Sequence, residues 1–256
     1  MPKTIAEAKV IGQKVLNSTI KMIEVYAPEI AEQAVPGQFV NVQVCRNTAP
    51  LLRRPFGVAG VNKKEGTFTM IYRIIGEGTH ILADVCTGDK LSIVGPLGHG
   101  FDMGAKKPLL VGGGLGLAPL LFLAGGFGKG NSDILMGGRC SEEVFWTCLY
   151  ENLCSEVFVT TDDGSQGTKG TVMALLPELL QKNGYDCVYV CGPVPMMKAV
   201  AKACLQAGVK CQVSLEKYMA CGLGACLSCA CGGGIGRRMK VCTDGPVFWA
   251  EEVTEW

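Results

Sequence analysis

Cys221, Cys226 and Cys229 stand in the run Ala220-Cys221-Gly222-Leu223-Gly224-Ala225-Cys226-Leu227-Ser228-Cys229, a C-x4-C-x2-C spacing. One tight loop of this kind can aim three thiolates at a common centre, and the spacing is one used for [2Fe–2S] clusters, where a later cysteine completes the set. Gly222 and Gly224 suit such a loop, because glycine takes positive φ and lets backbone N–H groups come close to sulfur. Cys242, in Lys240-Val241-Cys242-Thr243-Asp244-Gly245-Pro246, is the expected fourth ligand, arriving from a separate strand. Cys231 is expected near the cluster but outside its ligand set. Structural zinc held by four cysteines uses the same atoms and is the competing reading, with unrelated buried cysteines a third. Of the other nine cysteines, eight read as small core residues; Cys191 is the exception.

Three further runs offer binding chemistry. Val111-Gly112-Gly113-Gly114-Leu115-Gly116-Leu117 follows an apolar, strand-like stretch and opens a helix-like one, so bare backbone at a helix start can face a pyrophosphate. It does not complete G-x-G-x-x-G, and a tight packing turn is the alternative. Cys191-Gly192-Pro193 also follows a strand, at the edge where open α/β sheets bind ligands, and Cys191 there offers a soft, uncharged side chain to a nicotinamide. Arg53-Arg54-Pro55-Phe56-Gly57 sets cations suited to phosphate beside an aromatic ring that can line a flavin. An exposed arginine pair before a turn is the plainer reading. Tyr72-Arg73-Ile74-Ile75-Gly76-Glu77-Gly78-Thr79 adds a second turn with N–H and hydroxyl donors. His80 and His99, the only histidines, sit among turn residues and are assigned surface or structural roles.

The elements that must carry these residues change character along the chain. Up to about Phe101, short β-type runs such as Gln38–Cys45, Thr67–Ile75 and Lys90–Val94 alternate with Gly and Pro, the punctuation of a small antiparallel barrel. From Pro108, strands at Leu109–Val111, Asp133–Met136, Val157–Thr160 and Cys187–Val190 alternate with helices at Leu117–Ala124, Ser141–Cys148, Met173–Gln181 and Pro195–Ala207, which predicts a parallel sheet with helices on its faces. After Val209 the pattern dissolves into a glycine- and cysteine-rich tail expected to hold little core. The fold class is therefore multidomain: antiparallel β-barrel, 1–102; α/β parallel-sheet nucleotide-binding domain, 103–210; small C-terminal cluster domain, 211–256.

Composition excludes other classes. The 256 residues are 48% hydrophobic and 18% charged, which rules out intrinsic disorder, and a net charge of +1 leaves no basic footprint for nucleic acid or an anionic membrane. Met1–Val10 lacks the apolar core of a secretion signal, so reduced thiols in the cytoplasm are expected rather than disulfides. Leu109–Gly128 carries no charge over 20 residues, but seven glycines and Pro119 argue for a strand, a turn and a helix start instead of a membrane span.

Taken in this order, the pieces resemble the ferredoxin-reductase-like flavoproteins, and the tail narrows that to the electron-transfer subunits of class 1B dihydroorotate dehydrogenase. The likeness rests on Leu51–Phe56, Tyr72–Thr79, Gly95–Gly98, Gly112–Leu120, Thr161–Ser165, Cys191–Pro193, Met219–Cys229 and Val241–Phe248, and spans nearly the whole chain. It implies an FAD-binding barrel, an NAD-binding sheet and a [2Fe–2S] tail. Arg54 would pair with FAD phosphate, Phe56 and Gly57 would border the isoalloxazine, Gly78 and Thr79 would hold the pyrophosphate region, and Pro55, Tyr72, Arg73 and Ile74 would complete the flavin site. Gly112, Gly113, Gly114, Gly116, Cys191, Gly192 and Pro193 would frame NAD, while Cys221, Cys226, Cys229 and Cys242 would bind the cluster. The resemblance also implies a partner, an FMN-containing dihydroorotate dehydrogenase catalytic subunit, in a heterotetramer of two of each. Family members usually carry Ser or Thr where Gly57 stands, so a side-chain hydrogen bond to flavin N5 is missing here. The alternative is the small subunit of a related NAD(P)H:ferredoxin or sulfide oxidoreductase.

Overall fold

The computed structural model describes residues 3–45 and 49–256, so Met1 and Pro2 lie outside it. Six strands make the first half: β1 Thr4–Val15, β2 Ile20–Tyr26, β3 Phe39–Gln43, β4 Arg54–Asn62, β5 Thr67–Arg73 and β6 Lys90–Leu97. They close into an antiparallel barrel in the order β1-β2-β5-β4-β3-β6, with β6 returning to pair with β1. Period-two patterning dictates the inside. Along β1, Ala6, Ala8 and Val10 are buried while Ile5, Glu7 and Lys9 face out. Two short helices, α1 Pro28–Gln33 and α2 Glu77–Ala83, bridge successive strands.

From Pro108 the chain builds a second sheet. Its elements are β7 Pro108–Gly113, α3 Leu117–Phe127, β8 Asp133–Gly138, α4 Thr147–Tyr150, β9 Val157–Thr161, β10 Thr168–Lys169, α5 Leu176–Lys182, β11 Cys187–Cys191, α6 Val194–Ala207 and β12 Lys210–Ser214. The order is β10-β9-β8-β7-β11-β12 with parallel pairing throughout. Leu109–Val111, Ile134–Met136 and Val188–Val190 are fully buried, as continuous apolar runs must be when both faces of a parallel sheet are covered. The uncharged Leu109–Gly128 stretch divides into β7, one 3-10 turn and α3. Among the described residues no helix is long and apolar enough to cross a membrane.

Two expected helices are broken, each for a local reason. Over Ser141–Cys148 a 3-10 turn ends at Val144, whose carbonyl accepts the Thr147 hydroxyl at 2.9 Å, and α4 starts anew at Thr147. Over Met173–Gln181, Pro177 has no N–H for a helix interior, so α5 begins around it after a separate 3-10 turn.

The tail departs furthest from expectation. Beyond β12 come β13 Ala230–Gly233, β14 Arg238–Lys240, β15 Val247–Trp249 and β16 Val253–Glu255. β15 pairs antiparallel with β12 and becomes the edge of the large sheet, and β13 pairs with β16. Cys211, Val213, Leu215, Met239, Val241, Phe248 and Val253 are buried, so the segment after Val209 is not poor in core. By compactness the chain forms two units. One holds Met1–Gly100, Glu216–Ala230 and Met239–Pro246; the other holds Phe101–Leu215, Cys231–Arg238 and Val247–Trp256.

Candidate cofactor and cluster sites

The two arginines at the start of β4, Arg53 just before it and Arg54 as its first residue, have different work. Arg53 is consumed by structure: its guanidinium donates to the Ser92 carbonyl at 2.6 Å, the Ser92 hydroxyl at 2.8 Å, and the Asn41 carbonyl and Gln43 amide oxygen at 3.4 Å, tying β3 to β6. Among the described residues Arg54 donates only to loop carbonyls, Leu52 at 2.6 Å and Arg53 at 3.5 Å. Its side chain lies across the first turn of α2, because a Cβ on Gly78 would stand 2.9 Å from the Arg54 Nε. Glycine at that position is what lets a cation close on backbone N–H groups, a cradle with the charge and donors that a phosphate needs.

The neighbouring residues organise this corner more than they reach out from it. Thr79 accepts from the Ile75 and Gly76 N–H groups at 3.0 and 3.1 Å and returns its own proton to the Gly76 carbonyl at 2.9 Å. Tyr72 is buried and donates to Gln13 at 2.9 Å; burial pushes its hydroxyl pKa up, and its ring meets Phe56 at 5.7 Å between centroids. Ile74 donates its N–H to the Thr19 carbonyl, and Arg73 keeps a buried Nε with no acceptor among the described residues. Pro55 and Gly57 lie on β4 opposite Asn41 and Phe39. His80 and His99 are exposed.

At the carboxyl edge of the large sheet, the glycine turn and the Cys191 turn come together. β7 and β11 are neighbours with Gly112 opposite Cys191. A Cβ on Gly116 would meet the Cys191 carbonyl oxygen at 2.4 Å, and one on Gly192 the Gly113 backbone at 3.0 Å. Gly114 (φ 57°) and Gly192 (φ 153°) also occupy backbone regions that side chains disfavour. The result is a bare-backbone floor at the start of α3, where open α/β sheets take ligands. Cys191 is 1% exposed beneath it, and Pro193 immediately precedes α6. Next to this floor, beyond the end of β8, Arg139 is held by Glu143: its Nε donates to the carboxylate at 2.7 Å, its backbone N–H at 2.9 Å, and its Nη2 makes a closer contact. Thr161–Ser165 forms a capped turn after β9, with Asp163 accepting from the Ser165 N–H and hydroxyl, which hold its carboxyl below the usual range.

The four tail cysteines are gathered in one unit as two pairs. Cys226 and Cys221 are hydrogen-bonded partners, as are Cys242 and Cys229. The second pair is set by the Val241 N–H donating to the Cys229 carbonyl at 3.1 Å, and a turn in which Asp244 caps the Lys240 N–H at 2.7 Å carries Cys242. Gly222 (φ 68°) and Gly224 (φ 86°) shape the loop, and a Cβ on Gly224 would strike Thr243 at 2.7 Å. Hydrogen bonds from Ser228 above all, then the Cys221 backbone, bring the exposed Cys226 thiol down to about 6, whereas burial first, then Cys229, raises Cys242 to about 11. Among the described residues no three His, Cys, Asp or Glu converge where one metal ion would hold them. Four thiols gathered in one unit, with Cys242 feeling both Cys229 and Cys221, are a donor set that fits a [2Fe–2S] cluster. Cys231 lies on β13, outside both pairs.

Residues 216–254, which contain all four cysteines, match the family model for the iron-sulfur cluster binding domain of dihydroorotate dehydrogenase B. The chain is 44% identical over 223 residues to the dihydroorotate dehydrogenase B (NAD(+)) electron transfer subunit of Caldanaerobacter subterraneus subsp. tengcongensis, covering 85% of this chain and 86% of the relative. It is 38% identical over 238 residues to the subunit of the same name from Fusobacterium nucleatum subsp. nucleatum, covering 88% of each. The chain belongs to this family of electron-transfer subunits. Among solved structures it is similar to the NADH-dependent reduced ferredoxin-NADP oxidoreductase, with a TM-score of 0.87 and 30% identity over 98% of this chain and 90% of that one. In this chain the stretch that matches the iron-sulfur model also depends on a side chain that the cysteine spacing does not disclose. Ser228 bonds the Cys226 thiol, accepts from the Ala220 N–H at 3.2 Å and faces the Tyr218 carbonyl at 3.4 Å, so one hydroxyl staples the loop. Its position between Cys226 and Cys229 was the available signal.

Proposed function

We propose that this chain carries electrons from a dihydroorotate-oxidising, FMN-containing catalytic subunit to NAD⁺, using a [2Fe–2S] cluster and FAD, as a step of pyrimidine biosynthesis in the cytoplasm. Dihydroorotate loses two electrons and two protons to become orotate, and NAD⁺ leaves as NADH with release of one proton. When bound, the cluster moves electrons singly and the flavin exchanges a hydride with nicotinamide. The chain's own residues bind and orient. Arg54 and the Gly78 turn hold the FAD phosphates, Phe56 and Gly57 border the ring, and Tyr72, Arg73, Ile74 and Thr79 support that corner. Gly112, Gly113, Gly114, Gly116, Cys191, Gly192 and Pro193 frame NAD; Cys221, Cys226, Cys229 and Cys242 hold the irons. Functionally the chain then divides as 1–102 for FAD, 103–210 for NAD and 211–256 for the cluster.

The observation that carries this reading is the pairing of four thiols within the stretch that matches the family's iron-sulfur domain. A catalytic partner follows from membership among electron-transfer subunits, and we assign a heterotetramer of two of each chain. Around the exposed Cys226 stand Tyr218, Leu223 and Leu227 at 94, 45 and 63% exposure, an apolar rim suited to a protein surface that must exchange electrons across a short gap. Leu227 is the only non-glycine residue with positive φ (61°) among those described, a conformation that costs about 1–2 kcal/mol and turns its side chain outward.

Co-expression with the dihydroorotate-oxidising subunit tests the assignment: NADH forms from dihydroorotate only when both chains are present. The 30%-identical structural relative favours one second reading, a subunit of an NADH-dependent ferredoxin-NADP oxidoreductase. NADP⁺ reduction by reduced ferredoxin, with no response to dihydroorotate, would establish that reading in its place.

A further inference from the structure

A polar side chain from the barrel reaches the cluster loop. Asn41, in the middle of β3, is fully buried, and its Nδ2 donates to the carbonyl of Cys221 at 3.4 Å. Gly222 packs directly on it, since a Cβ there would lie 2.8 Å from that same Nδ2. With the Cys221 carbonyl drawn toward Asn41, the following N–H groups turn the other way, and the Leu223 N–H points at the Cys221 sulfur at 3.3 Å. Asn41 also has an Oδ1 buried without a partner among the described residues, an arrangement that packing alone disfavours, because an apolar side chain of similar size would fill the space without stripping an amide oxygen of its hydrogen bonds. On its other side β3 is registered against the flavin-site run, with Asn41 opposite Pro55 and Val40 opposite Phe56.

We propose that Asn41 is a positioning residue for the cluster: it fixes the Cys221–Gly222 peptide so that the Leu223 N–H is aimed at the Cys221 sulfur, and thereby sets the reduction potential of the irons. This rests on Cys221 being a cluster ligand, as assigned above. N–H groups directed at ligand sulfur stabilise the added negative charge of the reduced cluster, and hydrogen bonding to the sulfurs is one of the protein's levers on potential. Releasing the Cys221 carbonyl lets the peptide rotate, lengthens the N–H···S contact and lowers the potential. Arg54, Phe56 and the α2 turn are untouched by the change.

The test compares wild type, Asn41→Val, which suits a strand and removes the amide, and Asn41→Ser, which keeps a small polar group that falls short of Cys221. Each full-length protein, isolated anaerobically, is assayed for FAD, iron, the electron paramagnetic resonance spectrum of the reduced cluster and its midpoint potential. Both variants should keep FAD, show an altered cluster spectrum and reduce with an equilibrium constant about tenfold smaller, or about 59 mV for one electron. Loss of iron with FAD retained supports the same role. A spectrum and midpoint identical to wild type in both variants overturns the proposal, as does joint loss of FAD and iron in both, which would make Asn41 a residue of barrel packing. Wild-type protein without iron would refute the cluster assignment itself, a result separate from either.

Discussion

Single side chains decide which charge is available for binding, and neighbouring residues of one type can be assigned to opposite roles. Arg53 gives its donors to Ser92, Gln43 and Asn41, whereas Arg54 has, among the described residues, only the loop carbonyls of Leu52 and Arg53 and rests over Gly78. Arg54→Leu is therefore expected to weaken FAD binding about tenfold to a hundredfold, the worth of about 1.5–3 kcal/mol of charge-assisted bonding, with little change in melting temperature. Arg53→Leu should do the reverse, costing about 1–3 kcal/mol of stability through acceptors left buried and unpaired while the folded protein keeps its flavin affinity. Fluorescence titration of FAD set against thermal melting separates the two. Arg139 offers a second case. It is well exposed, at the sheet edge proposed for NAD, yet occupied by Glu143. Glu143→Gln removes the carboxylate and frees the guanidinium for a 2′-phosphate, so the NADPH-to-NADH ratio of kcat/KM for flavin reduction should rise about tenfold, and an unchanged ratio would place nicotinamide selection elsewhere.

At the scale of elements, the close approach of α3 to β11 is what creates the bare-backbone floor proposed to take the nucleotide. The Gly116 Cα faces the Cys191 carbonyl so closely that even a methyl group cannot enter. Gly116→Ala is expected to push α3 off the end of β11, costing about 1–3 kcal/mol as overpacking does. The KM for NADH should rise severalfold while FAD content stays at the wild-type level, because the barrel is a separate unit of the fold. Steady-state kinetics with absorbance-based FAD quantification checks both halves of that expectation. The broken helices at Ser141–Cys148 and Met173–Gln181 show why apolar spacing alone overstates helix length: a threonine hydroxyl and a proline each redirect the backbone hydrogen bonding that periodicity does not record.

For the whole molecule, the exposed rim around Cys226 is the surface proposed for assembly. Leu227→Glu places a charge where an apolar contact with the catalytic subunit is proposed. Co-purification of the two chains should drop sharply, by about tenfold or more in affinity, with flavin absorbance of the isolated chain unchanged. Equal recovery of the complex would move the docking surface away from the cluster loop.

Much of this was written in local spacing. Alternating strands, the glycine turn after β7, the cysteine spacing and the split of Leu109–Gly128 depend on neighbours within a few residues, and one-dimensional pattern conveys them. Membership in the family was legible for the same reason, since its most specific residues, Met219–Cys229 and Val241–Phe248, are contiguous runs. What lay beyond reach were relations between residues far apart in the chain. The seating of β15 on β12, the burial of the tail after Val209, the contact of Asn41 with Cys221 across 180 positions, and the different fates of Arg53 and Arg54 all arise from which surfaces meet when the strands close. Local propensity selects the elements, but desolvation and the pairing of every buried polar group select how they pack, and those energies exist only once the distant parts have come together.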